Sequence, residues 1–449
     1  MNKFELQNVN STIKWENIVV KINCTTQDNN FSHPLNTFST SNISGTGFFI
    51  GDNLILTCYH VINGAITINI SYKQMDDILC EIKNIFPDDD LALIRIVDPS
   101  IKLDYQILEY KIINNDNKNI NDISVFTIGF PLDSKTIKTT KGSISGYQDS
   151  LIQTDAALNS GNSGGPLVIL DTDNKYKYIG INVSKQSGEA EKTGYAIPIN
   201  RFLNINGDYK DIIIRRPLLL FDYQTIIQEE FKSIIFKNSI NKNGIKVTLI
   251  NKNFYLSKYI NEGDILVSIN NINIDNNGYI KFNFYPEKIS VDDIGLWFKK
   301  DDIITIGILD VPTGKIISKD IKLEIINTNL LYYYNLPNIP NAPKYYIENN
   351  GLVLSIITNN HFKNLKHLEL SLINIIKIFS RYSNQSDLFT VYLCDLNYNK
   401  IKKTFNKYPK GDIIIKINDL KFNNYNEFIN ITTNKITKIT TIDNEDYYI

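Results

Sequence analysis

The chain has 449 residues, with 47 basic side chains against 48 acidic ones and a formal net charge of −1. That length exceeds one ordinary hydrophobic core and suits two to four domains. The near balance of charge excludes the broad basic surface by which a chain holds nucleic acid. A membrane-spanning function is excluded too, since no stretch approaches the required length; the best candidate, Ile212 to Phe221, is broken by Arg215, Arg216 and Pro217. Strand-like runs of Ile, Val, Tyr and Phe between Asn, Asp and Gly turns predict a mainly β fold. Met1 to Gln7 contains no apolar signal region. The cysteines, Cys24, Cys58, Cys80 and Cys394, are widely spaced in no metal-ligand pattern, and those in predicted strands act as small apolar residues. The expected location is intracellular and soluble, in a reducing compartment.

Along the chain, His33 falls in a polar stretch beside Pro34 and reads as a loop residue. Leu54 to Val61 is an apolar strand that ends by delivering His60. Imidazole titrates near neutral pH, so His60 is the candidate general base. Pro87-Asp88-Asp89-Asp90 then stands at the mouth of the apolar strand Leu91 to Ile96. An aspartate held there can accept the second imidazole N–H and fix its tautomer. Asp90 is assigned that part, while Asp88 and Asp89 read as a solvated turn. Further on comes Gly161-Asn162-Ser163-Gly164-Gly165-Pro166. Glycine reaches conformations closed to other residues, so successive N–H groups can turn toward one space beside the Ser163 hydroxyl. Such donors are what a carbonyl oxygen needs as it becomes negative under attack.

The order His60, Asp90, Ser163 is that of the chymotrypsin-like double barrel. Seven segments in register extend the likeness. Ser44-Gly45-Thr46-Gly47-Phe48-Phe49-Ile50, Leu56-Thr57-Cys58-Tyr59-His60-Val61 and Asp90-Leu91-Ala92-Leu93-Ile94 resemble the first-strand, histidine and aspartate motifs of the Deg/HtrA family. Gly129-Phe130-Pro131, Thr140 to Ser145, Gln153 to Pro166 and Gly194-Tyr195-Ala196-Ile197-Pro198 resemble its later motifs. The resemblance implies a nucleophile at Ser163, a base at His60, an orienting acid at Asp90, and an oxyanion hole from the N–H groups of Gly161 and Ser163. It places Gly180-Ile181-Asn182-Val183-Ser184 along the first specificity pocket, with Ile181, Asn182 and Val183 as substrate-binding residues. That segment is uncharged, so a small or medium apolar residue is expected before the cut. Cys58-Tyr59 replaces the small pair of the motif, and Tyr59 is bulky, but neighbouring strand residues point to opposite faces.

The second half carries a weak repeat. The segment Glu262 to Ile272, with Gly263-Asp264-Ile265-Leu266 at its start, is echoed by Lys410 to Leu420, with Gly411-Asp412-Ile413-Ile414. That spacing suits a duplicated domain, and both copies resemble a PDZ signature. The expected architecture is a chymotrypsin-like double β-barrel at 1–215 and two PDZ-like α+β modules at 216–329 and 330–449. Leu330 to Lys344 forms the connector and Ser371 to Tyr382 supplies a helix. PDZ modules add a peptide as an edge strand with its carboxylate on backbone N–H groups. The candidate cradle is Pro217-Leu218-Leu219-Leu220-Phe221, with Leu220 where the family often has glycine.

Together these imply an ATP-independent serine endopeptidase of unfolded or damaged proteins and peptides, regulated by its PDZ-like modules and nearest to intracellular eukaryotic Deg proteases. The alternative is a proteolytically weak chaperone or peptide-binding protein on the same scaffold. No cofactor and no metal are called for, since His and Ser supply acid, base and nucleophile. The resemblance also implies a trimer-based homo-oligomer, with Trp15 and Phe31 as candidate contact residues. The apolar end Tyr447-Tyr448-Ile449 is a candidate for docking in a neighbouring subunit.

Overall fold

The computed structural model describes residues 13–31, 33–36, 40–114, 123–183, 193–240, 242–250, 254–325, 335–339, 344–358, 360–361, 391–397 and 411–449. The first six long strands are β1 Val19–Gln27, β2 Thr40–Gly51, β3 Leu54–Cys58, β4 Ala65–Tyr72, β5 Met75–Phe86 and β6 Leu91–Ile96, with a short helix α1 Tyr59–Ile62 after β3. They close into a barrel in the order β1-β2-β3-β6-β5-β4. Closure follows from period-two patterning: Ile22 and Cys24 of β1, Ile68 and Ile70 of β4, and Ile78 and Cys80 of β5 all turn inward.

A two-residue strand, β7 Glu109–Tyr110, precedes a second set: β8 Ser124–Gly129, β9 Lys138–Gln148, β10 Leu151–Thr154, β11 Pro166–Leu170, β12 Tyr176–Val183 and β13 Gly194–Pro198. These run β11-β8-β9-β10-β13-β12, and β12 pairs back onto β11, so this sheet is also closed. The expected double barrel is present. Helix α2 Ile199–Ile205 follows. One core joins the barrels: Ile128, Val168, Tyr178, Ile181 and Phe202 pack with Phe48, Leu56 and Val61, and the Phe48 and Tyr178 rings lie 4.6 Å apart.

Two further sheets follow. The third contains β14 Phe221–Thr225, β15 Ile245–Ile250, β16 Ile265–Ile269, β17 Ile272–Asn273, β20 Ile303–Asp310 and β21 Lys315–Lys322, in the order β14-β15-β16-β20-β21 with β17 on β16. The small pair β18 Tyr279–Ile280 and β19 Ile289–Ser290 leads into a helical segment, Val291–Trp297. The fourth contains β22 Tyr346–Asn349, β23 Leu352–Ile356, β24 Val391–Leu396, β25 Ile413–Ile417, β26 Leu420–Lys421, β27 Lys438–Thr441 and β28 Asp446–Tyr448. The two repeated segments occupy matching places: Ile265–Ile269 and Ile413–Ile417 are each an inner strand with a two-residue strand turned back on it. The helix expected over 371–382 lies outside the described residues. Among the described residues, no helix is long and apolar enough to cross a membrane.

The candidate cradle packs against the segment Val291–Trp297: a Cβ at Gly295 would meet Leu218 Cα and Pro217 O at 2.9 Å. The chain end is a strand of its own sheet. β28 pairs with β27, the Ile449 N–H donates to Thr437 O at 2.8 Å, and Tyr447 and Ile449 pack on the local core. Phe31 is buried against Tyr345 and His361 of the same chain, whereas Trp15 sits half-buried on Tyr176. All four cysteines are buried and none is joined in a disulfide.

Candidate active site

Strand register brings His60 to Asp90. β3 and β6 are antiparallel with Cys58 opposite Leu91, so the residues just beyond each strand end meet. The Tyr59 N–H donates to Asp90 O at 2.9 Å, closing that junction. The Asp90 carboxylate then receives His60 twice: Oδ1 accepts the backbone N–H at 2.9 Å, and Oδ2 lies 2.7 Å from Nδ1. A carboxylate can only accept, so Nδ1 carries the proton and Nε2 is left as the basic nitrogen. The His60 and Asp90 side chains are 43% and 34% exposed, open enough to meet a substrate. Asp90 adopts a left-handed backbone, φ 53°, which Asp tolerates better than most residues. Tyr59 does not cross the site along this bond: its hydroxyl donates to Asn63 Oδ1 at 2.9 Å, within its own turn.

Ser163 comes from the other barrel, on the loop between β10 and β11, and is nearly buried. Gly161 and Gly164 flank it with φ 93° and 82°. Neither position accepts a side chain, because a Cβ would strike Phe130 O at Gly161 and Thr57 Oγ1 and Thr46 O at Gly164. Three neighbouring N–H groups are taken up by carbonyls: Asn162 to Asn159 O at 3.0 Å, Gly164 to Asn182 O at 2.9 Å and Gly165 to Asn162 O at 3.0 Å. Thr46, on β2 of the first barrel, ties down the loop's carbonyls. Its N–H donates to Ser163 O at 2.9 Å and its Oγ1 donates to Gly161 O at 2.7 Å.

Asn182 links the serine loop to the histidine strand. Its carbonyl accepts both the Gly164 N–H and, at 3.4 Å, the Cys58 thiol. Burial and then the Asp90 charge push that thiol well above its ordinary pKa, so Cys58 is a neutral donor. Its sulfur lies within 4.8 Å of ligand atoms of His60 and Asp90. A metal would require the thiolate that burial disfavours. Of the predicted substrate-binding residues, Asn182 is fully buried and donates through Nδ2 to Pro166 O at 3.0 Å. Ile181 is fully buried in the core shared by the barrels, and Val183 is half-buried.

Asp88 and Asp89 depart from the sequence reading. They are not a solvated turn: the Asp89 side chain is wholly buried between Arg201 and Arg216, and that of Asp88, one-tenth exposed, is paired with Arg215. The arginines lie more than a hundred residues downstream, so local composition could not show them. The doublet Arg215-Arg216, set in an apolar run, was the available signal.

A family profile described as a trypsin-like peptidase domain matches residues 45–181, a span that holds His60, Asp90 and Ser163. With the two barrels and the site at their seam, it defines the class as a trypsin-like serine endopeptidase. The chain is 26% identical over 375 residues to the putative protease Do-like 13 of Arabidopsis thaliana, covering 77% of this chain and 70% of that one. It is 33% identical over 239 residues to a probable periplasmic serine endoprotease, DegP-like, of Rickettsia prowazekii, covering 50% of this chain and 44% of that one. Among solved structures, the HtrA-type protease AlgW with tripeptide aligns at a TM-score of 0.48 and 20% identity, covering 69% of this chain and 94% of that one. The chain is similar to Do-like and DegP-like serine proteases, and its trypsin-like peptidase domain lies within the matched region. It spans 70% of the first of these relatives but less than half of the second.

Proposed function

We propose that the protein is an ATP-independent endopeptidase that cleaves unfolded or damaged polypeptides through Ser163, His60 and Asp90. The observation that carries this is the double hold of Asp90 on His60, 2.9 Å to the backbone N–H and 2.7 Å to Nδ1, with the glycine-flanked Ser163 on a loop that Asn182 joins to the histidine strand. Ser163 Oγ attacks the scissile carbonyl as His60 Nε2 takes its proton. The oxyanion forms against the N–H groups of Gly161 and Ser163, and the imidazolium is stabilised by Asp90. His60 then returns the proton to the leaving amine. Water, activated by the same nitrogen, releases the acyl group. Each step uses side chains and backbone groups of this chain, and none calls for a nucleotide. The uncharged Ile181–Val183 strand supports cleavage after a small or medium apolar residue.

The region up to 215 is the peptidase domain in this reading. The units 216–329 and 330–449 are PDZ-like modules that regulate it, a division supported by the matching placement of the two repeated segments. The family likeness supports a trimer-based homo-oligomer. Digestion of casein by the wild type and by Ser163→Ala tests the central claim. Cleavage is expected to vanish in the variant while its fold persists; equal proteolysis by both proteins would remove Ser163 from the mechanism.

A further inference from the structure

The residues just before Asp90 are gripped by buried charges that the peptide chemistry does not use. Asp89 accepts Arg201 Nε at Oδ1, 2.8 Å, and Arg216 at both oxygens: Nε to Oδ2 at 2.6 Å and Nη2 to Oδ1 at 3.3 Å. One residue earlier, Asp88 accepts Arg215 Nε and Nη2 at 2.6 Å each and the Arg216 backbone N–H at 2.8 Å. The rest of the Arg216 guanidinium reaches away from the turn. Nη2 donates to Arg201 O at 2.7 Å, and Nη1 donates at 3.0 Å to both Asn204 Oδ1 on α2 and Phe298 O. Phe298 directly follows the segment Val291–Trp297, which packs with the third sheet.

A guanidinium fixes orientation as well as distance, because its donors form a rigid planar fork. Here one fork spans four residues, Asp89, Arg201, Asn204 and Phe298. The turn it holds needs support. Asp90 is left-handed, and its own closing bonds are Asp89 N–H to Phe86 O at 3.1 Å and Asp90 N–H to Pro87 O at a long 3.4 Å. Such a conformation persists where its surroundings over-determine it. At the same time, both Asp90 oxygens must be aimed at separate donors of His60.

We propose that Asp89 and Arg216 are positioning residues for Asp90. Their buried pair sets the turn that aims the Asp90 carboxylate at His60, and so makes that aim depend on α2, on the chain that follows it and on the third-sheet unit behind Phe298. The proposal rests on the reading of His60, Asp90 and Ser163 as the catalytic triad.

The test uses the full chain and a fluorophosphonate, which forms a bond to the serine oxygen with loss of fluoride. Its concentration dependence separates binding, KI, from the maximal bonding rate, kinact. Asp89→Asn and Arg216→Lys keep shape or charge while losing the charged fork. In each folded variant, kinact is expected to fall by about tenfold or more, with KI within about twofold of wild type. A purely architectural role would lower the fraction of protein labelled and leave kinact unchanged. Where either variant fails to fold, Asn204→Ala, which removes one Arg216 acceptor outside the turn, is expected to lower kinact about threefold. Wild-type kinact in the folded variants, with the wild type itself labelled, overturns the positioning role alone. A wild type that resists the probe instead strikes at the peptidase reading.

Discussion

Thr46 Oγ1 donates to the Gly161 carbonyl at 2.7 Å, so a hydroxyl on the first barrel holds the loop that carries Ser163 on the second. The same oxygen accepts the Phe130 N–H at 3.1 Å, and Thr46 is fully buried. Both capacities of one hydroxyl are therefore used across the seam.

Thr46→Val keeps the shape and removes those bonds, leaving a buried donor and a buried acceptor unmet. The expected loss of stability is about 1–3 kcal/mol, read from chemical unfolding. Casein cleavage per folded molecule is expected to fall more than stability alone explains, because the Gly161 peptide is freed to rotate. Thr46→Ser, which restores the hydroxyl, should recover most of both.

Asp90→Asn replaces an acceptor-only group with an amide that can present its NH2 to the ring. His60 then adopts the tautomer with its proton on Nε2, which cannot receive one from Ser163. The rate of peptide-bond cleavage should drop roughly 10³–10⁴-fold, by analogy with the same change in a trypsin-type triad, while the unfolding midpoint moves little. A loss of under about tenfold would separate Asp90 from the chemistry.

Gly164→Ala places a Cβ against Thr57 Oγ1 and Thr46 O in a backbone with φ 82°. Both the conformation and the contact oppose it, and neither obstacle is the end of a flexible side chain. The expected cost is about 1–3 kcal/mol, measured by thermal unfolding, together with loss of fluorophosphonate labelling. Gly263, also at positive φ but with open space around it, should show the conformational cost and none of the labelling loss.

His361 gives the molecule an acid-sensitive point. It is fully buried, and desolvation lowers its pKa from 6.5 to about 4. Among the described residues its partners are uncharged: Thr358, Ser355, Phe31 and Tyr392. The unfolded chain binds the proton first, so this contribution is complete above about pH 6.5 and is lost as pH falls toward 4. Its full size is roughly 3 kcal/mol. Urea midpoints should fall between pH 7 and 4.5 in the wild type, and the fall should be smaller in His361→Phe.

What could be read from the sequence was whatever sits in short, ordered motifs. His60, Asp90 and Ser163 each lie beside a strand end whose apolar run is obvious, and register does the rest. The burial of Asp88 and Asp89 was not legible, since it depends on arginines at 201, 215 and 216 reaching back across the fold. Phe31 offers the same lesson. Named in the sequence as a candidate contact residue, it is enclosed by Tyr345 and His361, some three hundred residues later. Local pattern carries strands and turns; it does not carry partners brought in by topology.

The Arg216–Phe298 bond also has a direction in time. Both barrels and α2 are complete by residue 205 of a 449-residue chain. Domains fold as units while synthesis continues. On that order the chain holding His60 and Asp90 is synthesised before Phe298, so the Arg216 fork is expected to close first with one arm empty. A newborn chain is therefore expected to pass through an interval in which His60 and Asp90 can pair while the grip from the third sheet is still unmade.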